Sequence, residues 1–317
     1  MKVKELIGSS FTCSAISAGA ADALFRIALA YDIVTSFYKL DFYAPSYSNY
    51  HCPDVDFFGI FGVYKSFPTS ADQLHQALVK INLSDLVAAL LEGRPALNDG
   101  TNYEIVPDLY AQDPRIKNLR EHVNLTLSFV KKLQYQITRE VFDAGTKTVK
   151  AVIHLRRQDI LGDIILFGPE ADLIPEEIKR GIHRRPLLYF QHAIDILERS
   201  VPAGSAVDLV ITSDGVREIR KKVGRFPGMS ERLDGIELEF MGNPTSNKLR
   251  ISVIDRIVGT GPDETIRTLD AMFSANVVVT ASSSFPRLPC AVGGAKLIVV
   301  DPTELEKWYT AKKGYHC

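Results

Sequence analysis

The second half of the chain repeats one pattern, a short and almost wholly apolar run followed by a helix-length segment. The runs are "TVKAVIHL" (148–155), "AVDLVITSD" (206–214), "IELEFMG" (236–242), "NVVVTASSS" (276–284) and "AKLIVVD" (295–301). Between them lie "RRPLLYFQHAIDILERSV", "GVREIRKKV" and "ETIRTLDAMFSA", which carry helical periodicity. Strands apolar on both faces and separated by helices predict a parallel sheet covered on both sides. In such a sheet ligands bind at the carboxyl ends of the strands.

The first half alternates less regularly. "SSFTCSAIS" (9–17) reads as a strand, and "ADALFRIALAYDIVTSFYK" (21–39) as a helix with Leu24, Phe25, Ala28, Leu29 and Ile33 on one face. "SADQLHQALVKI" (70–81) opens on a capping box, Ser70 and Gln73, and reads as a further helix. The stretch from 113 to 142, with Pro114 near its start, reads as a helix closing this half. The turn-rich "DAGTK" (143–147) sets the expected boundary between domains 1–146 and 147–317. A length of 317 residues accommodates two domains.

Composition excludes several classes. A net charge of −1 argues against a polyanion-binding protein, and the basic clusters "RGIHRR" (180–185) and "REIRKKVGR" (217–225) read as solvated faces. Cys13, Cys52, Cys290 and Cys317 show neither CxxC pairing nor zinc-ligand spacing, as expected of a reduced, cytoplasmic chain. Glu5, Asp22, Arg26 and Asp32 interrupt the apolar N-terminal stretch, so neither a signal peptide nor a membrane span is expected there. P-loop, GxGxxG and GxSxG motifs are absent.

Three strand ends carry polar residues: His154-Leu155-Arg156-Arg157-Gln158-Asp159, Thr212-Ser213-Asp214-Gly215, and Thr280-Ala281-Ser282-Ser283-Ser284. Adjacent arginines at a buried strand end need an anion, and a guanidinium fork fits phosphate oxygens. Hydroxyls and free amides entering a helix complete a phosphate cradle, and a carboxylate such as Asp214 suits the paired donors of a guanine edge or a ribose hydroxyl. Together they predict a nucleoside-diphosphate site. The bland alternatives are a surface pairing of the arginines with Asp159 and Asp163, and a capping role for Asp214. A competing signal is Asp54-Val55-Asp56, a D-x-D pair of carboxylates of the kind that holds a divalent cation against phosphates. It lies outside the half with the basic strand end, and metal independence is the expectation.

These residues resemble a family. "HLRRQD" matches the H-x-R-R-x-D motif of the α-1,2-fucosyltransferases, which is close to that of the α-1,6- and nodulation fucosyltransferases. "LLYFQHAIDIL" is similar to the tyrosine-rich helix after that motif, "LVITSD" to the FSDD strand end, "LDAMFSANVVVTASSSF" to the stretch ending S-S-F-S, and "GAADALF" (19–25) to the G-x-G-N-Q-x-F turn. Ala21, Asp22, Gly215 and Pro286 depart from the family's glycine, asparagine, aspartate and serine.

The resemblance implies an α/β, GT-B-like chain of two facing Rossmann-like domains with mainly parallel sheets. It implies an inverting, metal-independent transferase without cofactor, moving a deoxysugar, best guess L-fucose from GDP-fucose, onto a glycan acceptor. Xylose or rhamnose donors, and a non-catalytic sugar-nucleotide-binding protein, are the alternatives. By analogy Arg156 would hold the β-phosphate, His154 and Asp214 would face the base, and Ser282, Ser283 and Ser284 would lie at the phosphates. Arg157 and Asp159 would order the loop, and Gly19 would open the first-domain turn. Asp22, where the family has asparagine, is the candidate base for the acceptor hydroxyl, the alternative being a helix cap.

Overall fold

The computed structural model describes residues 3–14, 20–45, 54–67, 78–94, 96–121, 123, 125, 128–143, 145–155, 189–213, 244–259, 261–280 and 285–300. The chain divides into two units, Met1–Gln136 and Ile137–Cys317. Each is an α/β unit around its own sheet, and every described strand pair is parallel. The α/β expectation drawn from the apolar runs is therefore met in both halves.

In the first unit, strands β1 (Lys4–Cys13), β2 (Tyr38–Phe42), β3 (Val79–Asn82) and β4 (Asn102–Val106) stand in the order β2-β1-β4-β3. Helices α1 (Ala20–Phe37), α2 (Phe57–Ile60), α3 (Val63–Ser66), α4 (Leu83–Leu91), α5 (Pro114–Arg120) and α6 (Ser128–Lys132) accompany them. Strand β1 starts five residues before the expected run, because Gly8, at φ 65°, lets the strand continue through a register shift between Glu5 and Ser10. Helix α1 buries more than one face: Leu24, Ile27, Ala28, Ile33 and Val34 are fully enclosed, while Phe25 is only half-buried. Its Tyr31 joins Phe11, Phe42, Phe67 and Phe129 in an aromatic cluster, with the Phe67 and Phe129 rings stacked 4.8 Å apart.

Two helix expectations in this unit need correction. Val79, Lys80 and Ile81 belong to strand β3 and pair with Tyr103, Glu104 and Ile105; the run "LVKI" suits either period, and the free edge of β4 selects the strand. Ser70 and Gln73 lie outside the described residues. The continuous helix expected over 113–142 is two short ones, α5 and α6, followed by non-helical chain. The α6 end is fixed from far away. Asp32, buried in α1, accepts from Ser128 N at 3.0 Å, Phe129 N at 3.3 Å and the Ser128 hydroxyl.

The second unit holds β5 (Val149–Leu155), β6 (Ala206–Ser213), β7 (Arg250–Val258), β8 (Val277–Thr280) and β9 (Lys296–Val299), in the order β7-β6-β5-β8-β9. Helices α7 (Tyr189–Ser200), α8 (Pro262–Ser274) and α9 (Arg287–Gly293) are described with them. Side-chain alternation splits the core into two layers. Ala151, Ile153 and Leu155 of β5 pack with Ala193, Ile194 and Leu197 of α7 on one face. On the other face Val152, Val210 and Val278 pack with Ala271 and Met272 of α8 and Cys290 of α9. Each such valine or isoleucine, fully buried, contributes about 1.5–3 kcal/mol.

The four strands read as β5, β6, β8 and β9 are present; "IELEFMG" and "GVREIRKKV" lie outside the described residues. Strand β7 had no counterpart in the sequence reading. It is the edge of the described sheet and carries Arg250, Asp255 and Arg256, charges that an edge strand tolerates and that break the apolar run. The non-helical chain after α6 is held by this unit: Asp270, with no exposed surface, accepts from Thr138 N at 3.2 Å, Thr138 Oγ1 at 2.7 Å and Arg139 N at 3.0 Å.

Burial holds two thiols neutral. The Cys290 thiol is pushed up to about 12 and that of Cys13 higher still, the second also by the neighbouring charge of Glu104. Since the thiolate is the reactive form, a Cys52→Ser, Cys317→Ser variant is expected to resist alkylation at neutral pH until denatured. Two fast-reacting thiols in the native variant, counted by mass spectrometry, would contradict this.

Candidate functional site

The order β7-β6-β5-β8-β9 makes β5 and β8 the switch pair. The chain leaving β5 builds outward through β6 and β7, and the chain leaving β8 builds the opposite way to β9. A crevice opens at the carboxyl ends of such a pair, and open α/β sheets bind ligands there. His154, one residue before the end of β5, is register partner of Thr212 on β6 and of Thr280 on β8. By alternation these three continue the layer Val152–Val210–Val278 by one step, so an apolar layer ends in a polar row across three neighbouring strands.

The row is buried: His154 is 6% exposed, and Thr212 and Thr280 are fully enclosed. His154 Nδ1 lies 2.9 Å from Thr212 Oγ1, which fixes the ring plane, and the Phe285 ring lies 5.8 Å away. Backbone closures tie the strand ends: Gly259 N donates to Ser213 O at 2.8 Å and Val300 N to Thr280 O at 2.7 Å. The sheet thus ends in an enclosed imidazole and two enclosed hydroxyls, at the point where the sequence enters Arg156, Asp214 and Ala281. Arg156, Arg157, Asp159, Asp214, Ser282, Ser283, Ser284 and Gly19 lie outside the described residues.

In the first unit Asp22 occupies the first turn of α1, inside the helix. Its carboxylate lies 3.0 Å from Arg26 Nε, one turn on, and the Arg26 guanidinium sits 3.7 Å over the Tyr110 ring. A proton-accepting role for Asp22 has to be shared with that ion pair. The D-x-D carboxylates serve locally: Asp56 caps α2, accepting from Gly59 N at 2.9 Å, and Asp54 is exposed. Among the described residues no group of three or more His, Cys, Asp or Glu is placed to hold a metal. No helix among them is long and apolar enough to cross a membrane.

No family model and no curated protein matches the chain. Solved structures are similar to it. They include NodZ α-1,6-fucosyltransferase co-crystallised with GDP, at a TM-score of 0.44 and 14% identity over 95% of this chain and 96% of that one. The fucosyltransferase NodZ from Bradyrhizobium gives 0.39 and 13% over 91% and 93%. POFUT1 in complex with GDP gives 0.28 and 14% over 92% and 74%.

Proposed function

We propose that the chain is an inverting, metal-independent glycosyltransferase that takes a sugar from a nucleoside diphosphate, with GDP-fucose the best-fitting donor, and delivers it to a glycan hydroxyl. The observation that carries this reading is the buried row His154–Thr212–Thr280 at the β5/β8 switch, from which the sequence runs directly into Arg156-Arg157-Gln158-Asp159. A rigid polar floor followed at once by two guanidinium groups suits a nucleotide whose base and diphosphate must both be held.

In this reading His154, oriented through Thr212, and Asp214 meet the base. Ser282, Ser283 and Ser284 donate to the phosphates, and Gly19 is a further donor-binding residue. Arg156 binds the β-phosphate and stabilises the charge that grows there as the glycosidic bond breaks. Arg157 and Asp159 order the loop that presents it. Asp22 takes the proton from the acceptor hydroxyl as that oxygen bonds to the anomeric carbon on the face opposite the departing diphosphate.

Thermal unfolding with a panel of nucleotides tests the reading. GDP and GDP-fucose, but not uridine or adenine nucleotides, are expected to raise the melting temperature equally with Mg²⁺ and with a chelator. At a hundred times its dissociation constant a ligand adds about 2.7 kcal/mol. Selectivity for a uridine nucleotide would discard fucose as the sugar, and silence from every nucleotide would sink the proposal.

A further inference from the structure

The first unit's sheet has an unusual face. Along β1, Ser10, Thr12 and Ser14 alternate with Phe11 and Cys13, and all three are buried, at 5%, 3% and 8% exposure. Ser10 Oγ lies 2.7 Å from Asn102 Oδ1, and Ser14 Oγ donates to Glu104 Oε1 at 2.5 Å, so Asn102 and Glu104 on β4 share that face. Thr12 lies between the two serines and is the register partner of Glu104. Lys80, the partner of Glu104 on β3, reaches to 3.8 Å from the same carboxylate oxygen. A stripe of hydroxyls, amide and carboxylate therefore crosses the central strands where apolar packing is the rule.

One atom of the stripe lacks what burial demands. The Thr12 hydroxyl oxygen is enclosed and has no hydrogen-bond partner, a state that costs stability and that valine, of the same shape, would avoid. Beside it the Glu104 side chain is 29% exposed, so the stripe is enclosed at Thr12 and reachable at Glu104. The Glu104 carboxylate accepts from hydroxyl donors, and Lys80 beside it offers an ammonium donor. The hydroxyl behind it can donate as well as accept. That pairing matches the vicinal hydroxyls of a neutral sugar.

We propose that Thr12 and Ser14, at the carboxyl end of β1, and Glu104, in the middle of β4, form a carbohydrate site in which Glu104 accepts from one sugar hydroxyl and Thr12 pairs with its neighbour. Identifying that sugar as the transferase's acceptor rests on the function proposed above; the site itself rests on the first unit alone. The uncompensated hydroxyl is then a stability cost retained for binding.

Saturation-transfer NMR on the full chain tests this, with the methyl glycosides of galactose, glucose, mannose, N-acetylglucosamine and xylose as probes, on wild type, Thr12→Val and Glu104→Gln. At least one glycoside is expected to bind wild type and to bind each variant about tenfold more weakly, the loss of one good hydrogen bond. Thr12→Val should melt at the wild-type temperature or above it, which separates lost binding from lost folding. Equal glycoside binding by wild type and Thr12→Val, or no signal from any glycoside, would overturn the site. The GDP response is read on the same samples. Its absence would count against the transferase and not against the site, whereas a GDP response without glycoside binding would do the reverse.

Discussion

Replacing Asp270 with alanine is expected to destabilise the second unit by about 3 kcal/mol. The carboxylate is fully buried on α8 and collects two backbone N–H groups and a hydroxyl from Thr138 and Arg139. Alanine removes the acceptor, and because Thr138 and Arg139 are themselves exposed, the cost is that of losing three hydrogen bonds to a charged group. An asparagine side chain keeps one acceptor oxygen, so Asp270→Asn should fall between wild type and alanine. Hydrogen exchange locates the effect: amides of β5 and β6 should lose protection in Asp270→Ala while those of β1 and α1 keep theirs. Asp32→Ala is the mirror experiment, because Asp32 holds Ser128 and Phe129 in the same manner within the first unit. An Asp270→Ala chain within about 0.5 kcal/mol of wild type, the range of ordinary surface changes, would show that the carboxylate is no anchor.

Those two aspartates also explain where sequence reading stopped. The segment 113–142 has helical periodicity throughout, and nothing local says that it breaks after Arg120 and again after Lys132. The break depends on acceptors 96 and 132 residues away along the chain. Strands β5, β6 and β8 were legible because a strand enclosed on both faces is apolar along most of its length. Strand β7 was hidden by its charges, and β3 by a run too short to show its period. The site divides the same way. His154 stood out as a polar residue closing an apolar run, whereas the switch between β5 and β8 needs the strand order, which only the structure gives. Thr12 carries no signal in the sequence: a threonine in a strand is ordinary until its hydroxyl is seen enclosed and unpartnered.

On the transferase reading proposed above, Arg156→Ala is expected to lower the rate of sugar transfer by about a hundredfold or more, in keeping with the loss of one donor to developing charge. His154 and Leu155 end β5 inside the core, and that strand is pinned on both sides by β6 and β8. Arg156 follows that strand directly in the sequence, and electrostatic stabilisation of a leaving diphosphate requires a charge held in place before the donor arrives. Lysine at 156 keeps the charge but loses the planar fork, and Arg156→Lys should recover only part of the rate. Donor affinity, read from thermal shift with GDP, should fall less than turnover, because in the proposed site the base is held by other residues whereas Arg156 supplies the only full positive charge assigned to the leaving diphosphate. A loss of GDP affinity equal to the loss of rate would make Arg156 a ground-state contact only. Transfer restored to Arg156→Ala by Mg²⁺ would assign the charge to a cation, and Asp56 would then have to release Gly59 N, which it now caps, to bind one.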